Sequence, residues 1–297
     1  MTDSAVIPLP HASPTATRRS AYGRWVRPAL KHVVLTACAL LMLYPLLWMV
    51  ASSLRPTSEI FKHAGILVSK PHLSNYSNGW NAFQDPFSHY LWNSVILVVG
   101  CIVGNLISCS MAAYAFARLE FWGKRGWFAI MLLTLMLPIH VIIVPQYVLF
   151  SQLGWVNTFL PLIVPKFLAV DAFFIFLMVQ FIRGIPRELD EAAQLDGAGH
   201  ARIFGRILLP LMVPVLATTA IFTFIWTWND FYSQLIYLTN PDKYTTPLAL
   251  RAFVDAQSAT DWGAVFAMNV VSLAPVFVIF LVGQRFLLRG IATTGGK

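Results

Sequence analysis

The sequence predicts an all-α integral membrane protein with six transmembrane helices. Two observations carry that expectation. Only 11% of the 297 residues are charged while 57% are hydrophobic, whereas a soluble domain carries about a quarter charged residues. Stretches 32–54, 86–117, 126–165, 207–229 and 262–284 also contain no Asp, Glu, Lys or Arg. Each reaches the roughly 20 apolar residues a helix needs to cross a hydrocarbon core of about 30 Å. A weaker sixth candidate lies near 160–182.

The net charge of +8 is unevenly distributed. With the N-terminus in the cytoplasm, fifteen of the 21 basic residues fall on inner segments, among them Arg18, Arg19, Arg118, Lys124, Arg125, Arg183, Arg187, Arg202, Arg206 and Arg285. The outer segments hold Arg55, Lys62, Lys70, Lys243 and Arg251. Cytoplasmic loops carry such an excess, which places both termini in the cytoplasm of a multi-pass protein. The basic excess is then topological, and no nucleic-acid partner is expected.

Taken in order, residues 1–31 are rich in Ser, Thr, Ala and Pro and then basic, as a disordered cytoplasmic tail would be. The first span is expected over 32–54, kinked at Pro45. Residues 55–90 form an outer loop whose Trp80, Phe83, Phe87 and Tyr90 read as an interfacial aromatic belt. Residues 91–288 are expected to build a core of five further helices. In the second span, about Trp92–Ala117, Gly100, Gly104, Ser108 and Ala112 recur every fourth residue, which permits close helix approach. Asn105 beside them suits an interhelical hydrogen bond, or a water-filled path.

The third span, about Trp127–Phe150, contains Pro138, His140 and Pro145, and the prolines should break it. His140 could serve a proton relay, but no second ionisable partner at matching depth is evident. Residues 151–170 should be irregular at the outer face, and the fourth span runs from about Lys166 to Ile182, with Asp171 in its first helical turn and Lys166 snorkelling. The fifth span, about Ile207–Trp228, ends in Trp226-Thr227-Trp228-Asn229-Asp230. Aromatic faces beside an amide and a carboxylate suit a sugar, although an interfacial belt explains the tryptophans equally well. An outer loop over 229–263, a sixth span over about Ala264–Gln284 and a cytoplasmic tail over 289–297 complete the chain. Cys38, Cys101 and Cys109 lie within spans without metal-ligand spacing, so buried thiols and no metal site are expected.

Between the fourth and fifth spans, the charge-dense loop 183–206 reads as a helical hairpin outside the hydrocarbon. Pro186 suits a first turn, Glu188, Asp190 and Glu191 favour the positive end of the helix, and Gly197 can close it in a left-handed conformation. Leu189, Ala192, Ala193 and Asp196 share a face, and the alanines let another backbone approach.

Glu191-Ala192-Ala193, three residues, Gly197, nine residues, then Ile207-x-Leu209-Pro210 resembles the E-A-A-x3-G-x9-I-x-L-P signature of ABC-importer membrane subunits. The resemblance implies a type I ABC importer permease fold in which this loop is the coupling helix, seated on a cytoplasmic ATPase through Glu188, Glu191, Ala192, Ala193, Asp196, Gly197, Ile207, Leu209 and Pro210. Leu153-Gly154-Trp155-Val156-Asn157-Thr158, Thr227-Trp228-Asn229-Asp230-Phe231, Asp261-Trp262-Gly263 and Gln284-Arg285-Phe286 are similar to the carbohydrate-uptake permeases of the maltose and multiple-sugar kind, closest to the maltose G-type subunit. That similarity implies a bacterial inner-membrane location. It also implies a second, unlike permease, two ATPase subunits and an extracytoplasmic sugar-binding protein, met around Arg251, Asp255 and Gln257. A substrate pathway would run by Asn105, Trp226, Trp228, Asn229 and Asp230. The C-terminal R-G-I-A-T-T-G-G-K departs from the family's R-G-x-T-A-G-A-V-K-G, which puts its ATPase contact in doubt.

No G-x-x-x-x-G-K-[ST] phosphate loop is present, so ATP and Mg are expected on partner subunits and no cofactor on this chain. Neither H-E-x-x-H nor G-x-S-x-G occurs, which argues against a membrane enzyme. A secondary carrier would need intramembrane ion-coupling groups and two repeats. A permease for amino acids or peptides shares the hairpin signature and is disfavoured by the sugar-type stretches alone.

Overall fold

A computed structural model of the chain describes residues 21–62, 65–68, 70–255 and 261–292. Regular structure among them is entirely helical. Four helical stretches are long and apolar enough to cross a membrane alone, and two bent helix pairs raise the number to six.

Helix α1 (Ala21–Ser53) begins well ahead of the expected His32, and its apolar span runs Ala29–Ser53. Arg and Lys are good helix formers, so the hydrogen-bonded ladder need not stop where the hydrocarbon stops. Residues 1–20 of the expected N-terminal tail and 293–297 of the C-terminal one lie outside the described residues. Cys38 on α1 is exposed, contrary to the expectation of a buried thiol, while Cys101 and Cys109 are buried.

The rest of the fold is laid against α2 (Phe87–Arg118). Pro86 holds an extended backbone before it and so fixes its start. The small-residue stripe works as its spacing implies. A Cβ on Gly104 would come within 2.9 Å of Lys166 Cβ and Phe167, one on Gly100 within 2.8 Å of Ile163, and the Ser108 hydroxyl donates to the Lys166 carbonyl at 2.6 Å. The backbone of residues 160–168 therefore lies directly on α2, as a helical turn (Leu160–Ile163) followed by a 3-10 turn (Val164–Leu168).

The expected third span is broken into α3 (Lys124–Thr134) and α4 (Ile139–Gln152), bent by 100°. Pro138 adopts an extended ψ of 133° and starts α4, whereas Pro145 is accommodated inside it. The fourth span ends in α5 (Ala172–Arg183), with left-handed Ala169 (φ 55°) turning the chain into it. The hairpin helix α6 (Glu188–Leu195) follows, then a turn at His200–Ile203, a π-helical turn at Phe204–Leu208 and a short turn at Leu209–Leu211. The chain then bends by 75° into α7 (Val213–Asn229).

Residues 229–263 are not the simple loop expected. They contain a helical turn (Tyr232–Tyr237) and α8 (Thr246–Asp255), whose Ala249 and Phe253, one turn apart, pack on Phe87, Tyr90 and Met268. The last helix α9 (Trp262–Ala292) is longer than its expected span at both ends. The Asp261-Trp262-Gly263 stretch is a structural clasp. Asp261 Oδ1 accepts from the Thr57 hydroxyl at 2.5 Å and caps Ala264 N–H at 3.3 Å, while Gly263 lets Asn75 press against the helix start.

Candidate functional site

Two parts of the structure carry the chemistry, the hairpin and a cavity at the far end of α7. The hairpin helix α6 closes as its sequence dictates. Gly197 adopts φ +79°, its N–H bonds to the Gln194 carbonyl at 2.9 Å, and Ala198 N–H bonds to the Ala193 carbonyl at 2.9 Å, which is the paired closure of a Schellman turn. Its faces are unlike. Ala193 and Asp190 turn inward and are buried, while Glu188, Glu191, Ala192 and Asp196 point outward with Leu189 and a fully exposed Leu195. Ile207 and Leu209 are half-buried and Pro210 is exposed, flanking the fully buried Leu208.

Asp190 is the residue that the sequence reading did not separate from its acidic neighbours. Its Oδ2 lies 2.7 Å from Arg118 Nε, and both side chains are buried. The same guanidinium donates to the Ile185 carbonyl at 2.7 Å, so the last turn of α2 holds the hairpin at its entry and at its inner face. Tyr114, one turn earlier, lies 3.2 Å from His200 Nδ1 and ties the second arm. The hairpin is thus bonded to α2 while its outer face stays open. An Arg partner 72 positions away in sequence leaves no local signal.

At the opposite end of α7, a cavity of about 570 Å³ opens between α4, residues 161–171 and residues 225–237. Trp226, Asn229 and Asp230 line it. Trp226 offers a ring face backed by Phe174, 5.1 Å between centroids. Asn229 Nδ2 donates to the Ile225 carbonyl at 2.8 Å, and Asp230 caps Ser233 N–H at 3.1 Å. Asn105 is not on the wall but behind it, donating to Asp171 Oδ2 at 2.7 Å and to the Thr223 hydroxyl at 3.1 Å. Trp228 turns away. It is only 4% exposed, stacks on Phe224 and donates its indole N–H to the Ser272 carbonyl at 3.1 Å. A helix turns 100° per residue, so two tryptophans two positions apart cannot share one wall.

Three lining residues were missed. Lys166 Nζ lies 2.9 and 3.0 Å from the two Asp171 carboxylate oxygens, a charge pair in an otherwise apolar stretch. Lys166 therefore pairs within the protein instead of snorkelling, as two ionisable groups within an apolar stretch signal. Tyr237 belongs to the same cavity wall at 3% exposure, and its enclosed hydroxyl has no hydrogen-bond partner among the described residues. A buried hydroxyl without a partner is costly unless something else supplies the bond. His140 sits 5.0 Å from the Tyr232 ring. Arg251 lies over the Phe231 ring, whereas Gln257 and the side chain of Asp255 lie outside the described residues.

Comparison with known proteins bears on both parts. Residues 104–293, spanning the hairpin and the cavity wall of α7, match the family model described as binding-protein-dependent transport system inner membrane component. The probable ABC transporter permease protein YurM of Bacillus subtilis (strain 168) is 39% identical over 255 residues, covering 86% of this chain and 83% of that protein. The diacetylchitobiose uptake system permease protein NgcG of Streptomyces coelicolor is 33% identical over 258 residues, covering 86% and 85%. A bacterial ABC transporter involved in import of the acidic polysaccharide alginate shares the fold with a TM-score of 0.78 at 24% identity, covering 90% of this chain and 98% of that one. An all-helical chain with up to six spans, an outward-facing acidic hairpin and these relatives belongs to the binding-protein-dependent transport system inner membrane components, the permeases of ABC importers.

Proposed function

We propose that this chain is the non-catalytic translocation subunit of a sugar or oligosaccharide importer, working beside a second, unlike permease. An extracytoplasmic binding protein delivers the solute, and two cytoplasmic ATPase subunits hold ATP and Mg. The observation that carries the coupling is the open face of α6. Glu188, Glu191 and Asp196 surround Leu189 and a Leu195 that is 90% exposed, a mixed acidic and apolar patch that a soluble partner can bury. Its back face is held to α2 by Arg118 and Asp190, so force on the patch reaches the membrane helices without being lost in a flexible loop. The charge asymmetry supports a cytoplasmic hairpin and cytoplasmic termini.

A sugar is favoured by the cavity as well as by the name of the diacetylchitobiose relative. Trp226 supplies a stacking face, and Asp230 and the Lys166–Asp171 pair supply charged hydrogen-bond partners. The test uses the complex reconstituted in liposomes with its ATPase, partner permease and binding protein. Glu191→Lys combined with Gly197→Asp should abolish both uptake and binding-protein-stimulated ATP hydrolysis. Survival of both activities would refute the assignment of the hairpin.

A further inference from the structure

Away from the hairpin's outer face, the same end of the molecule holds a cavity of about 600 Å³ between the loop after α2, the start of α3 and the end of α5. Lys124, Arg125 and Arg183 line it with a single acid, Glu120. Lys124 Nζ is already engaged by Glu120 at 3.0 Å and by the Leu119 carbonyl at 2.6 Å. Arg125 and Arg183 are in no ion pair among the described residues, and the Arg183 guanidinium lies over the Phe128 ring at 5.4 Å, which orients it without neutralising it. The Glu120 carboxyl is held below its usual range, first by the hydrogen bond from Lys124 and further by the field of Arg187 and Arg125. Two cationic groups therefore face one cavity whose single acid is already bonded to Lys124.

The surroundings of this cavity are apolar. Trp122, between the lining residues Phe121 and Gly123 in sequence, is 91% exposed, and the Trp127 ring lies over Gly123, 3.2 Å from where a Cβ would be. From Trp127 the exposed face of α3 continues through Ile130 and Leu133, at helical spacing. A ligand satisfying both halves has an anionic head and a hydrocarbon body. Exposed tryptophans beside Lys and Arg at a span end mark the depth at which lipid headgroups lie.

We infer that this cavity is a binding site for the phosphate of an anionic glycerophospholipid, whose acyl chains run along Trp127, Ile130 and Leu133. Arg125 and Arg183 hold the phosphate, Lys124 acts from behind through its bond to Glu120, and the indoles cover the glycerol region. An acidic protein surface would satisfy the arginines but would leave the Trp127–Leu133 stripe unused.

Native mass spectrometry of the full-length chain in neutral detergent, titrated with dioleoylphosphatidylglycerol or dioleoylphosphatidylcholine, tests this. Phosphatidylglycerol should be retained in preference to phosphatidylcholine. Arg125→Gln and Arg183→Gln should each weaken retention about 5-fold and together about 25-fold, whereas Lys243→Gln on the far side should leave it unchanged. If the double variant does not fold, Arg125→Gln alone, on an exposed side chain, still decides. Equal retention of both lipids, or a double variant indistinguishable from wild type, would overturn the site and leave an acidic protein surface as its occupant. Displacement of phosphatidylglycerol by inorganic phosphate at matched concentration would also overturn it, by showing a site for soluble anions.

Discussion

Asp190 and Arg118 show how a single pair fastens a hairpin to a neighbouring helix. Both side chains are buried, so removing one partner leaves the other charged and desolvated. Asp190→Ala is expected to cost about 3–5 kcal/mol, read as a lowered thermal midpoint in detergent, while Asp190→Leu with Arg118→Met should cost far less because no lone charge remains. Tyr237→Phe should behave in the opposite way. Its enclosed hydroxyl has no partner among the described residues to lose, so the thermal midpoint should be unchanged or raised. Residue roles were legible where local geometry fixes them. Gly197 is expected to be able to close its helix in a left-handed conformation, and it does. Roles that depend on a distant partner were not legible. Three acids in one helical turn look alike until Arg118 selects one of them, and nothing local distinguishes Trp226 on a cavity wall from Trp228 in the core.

At the scale of elements, hydropathy located the spans but not their breaks. The third span, about 127–150, is expected to break at its two prolines, yet only Pro138 divides it, because Pro145 is accommodated within α4 and merely forgoes a hydrogen bond. The 229–263 segment looked like a loop because its polar residues outnumber those of the spans, while the Ala249 and Phe253 face of α8 is too short to register against them. Close approach was more readable. The four-residue stripe on α2 predicted contact, and Gly104 lies against backbone as required. The Gly263 clasp supplies the test at this scale. Gly263→Ala would place a Cβ 2.6 Å from Asn75 and should destabilise the protein by about 1–3 kcal/mol, whereas Gly205→Ala, with open space around it, should not; thermal midpoints compare the two.

For the molecule as a whole, four to six spans and a strong charge bias imply a fixed orientation. In a Cys38→Ser background, Trp122→Cys should be labelled by a membrane-impermeant thiol reagent only from the cytoplasmic side, and Lys243→Cys only from the opposite side. The reverse pattern would invert the proposed assembly. The join between hairpin and membrane also has a mechanical meaning. Because the His200–Leu211 segment meets α7 at 75° at Met212, a thrust along the first piece would arrive at the second almost broadside. The joint works as a bell crank. In the proposed assembly it would convert an axial shove from an ATPase into a sideways swing of the strut whose far tip carries Asn229 and Asp230, so a small travel at the hairpin would widen or narrow the mouth of the cavity there.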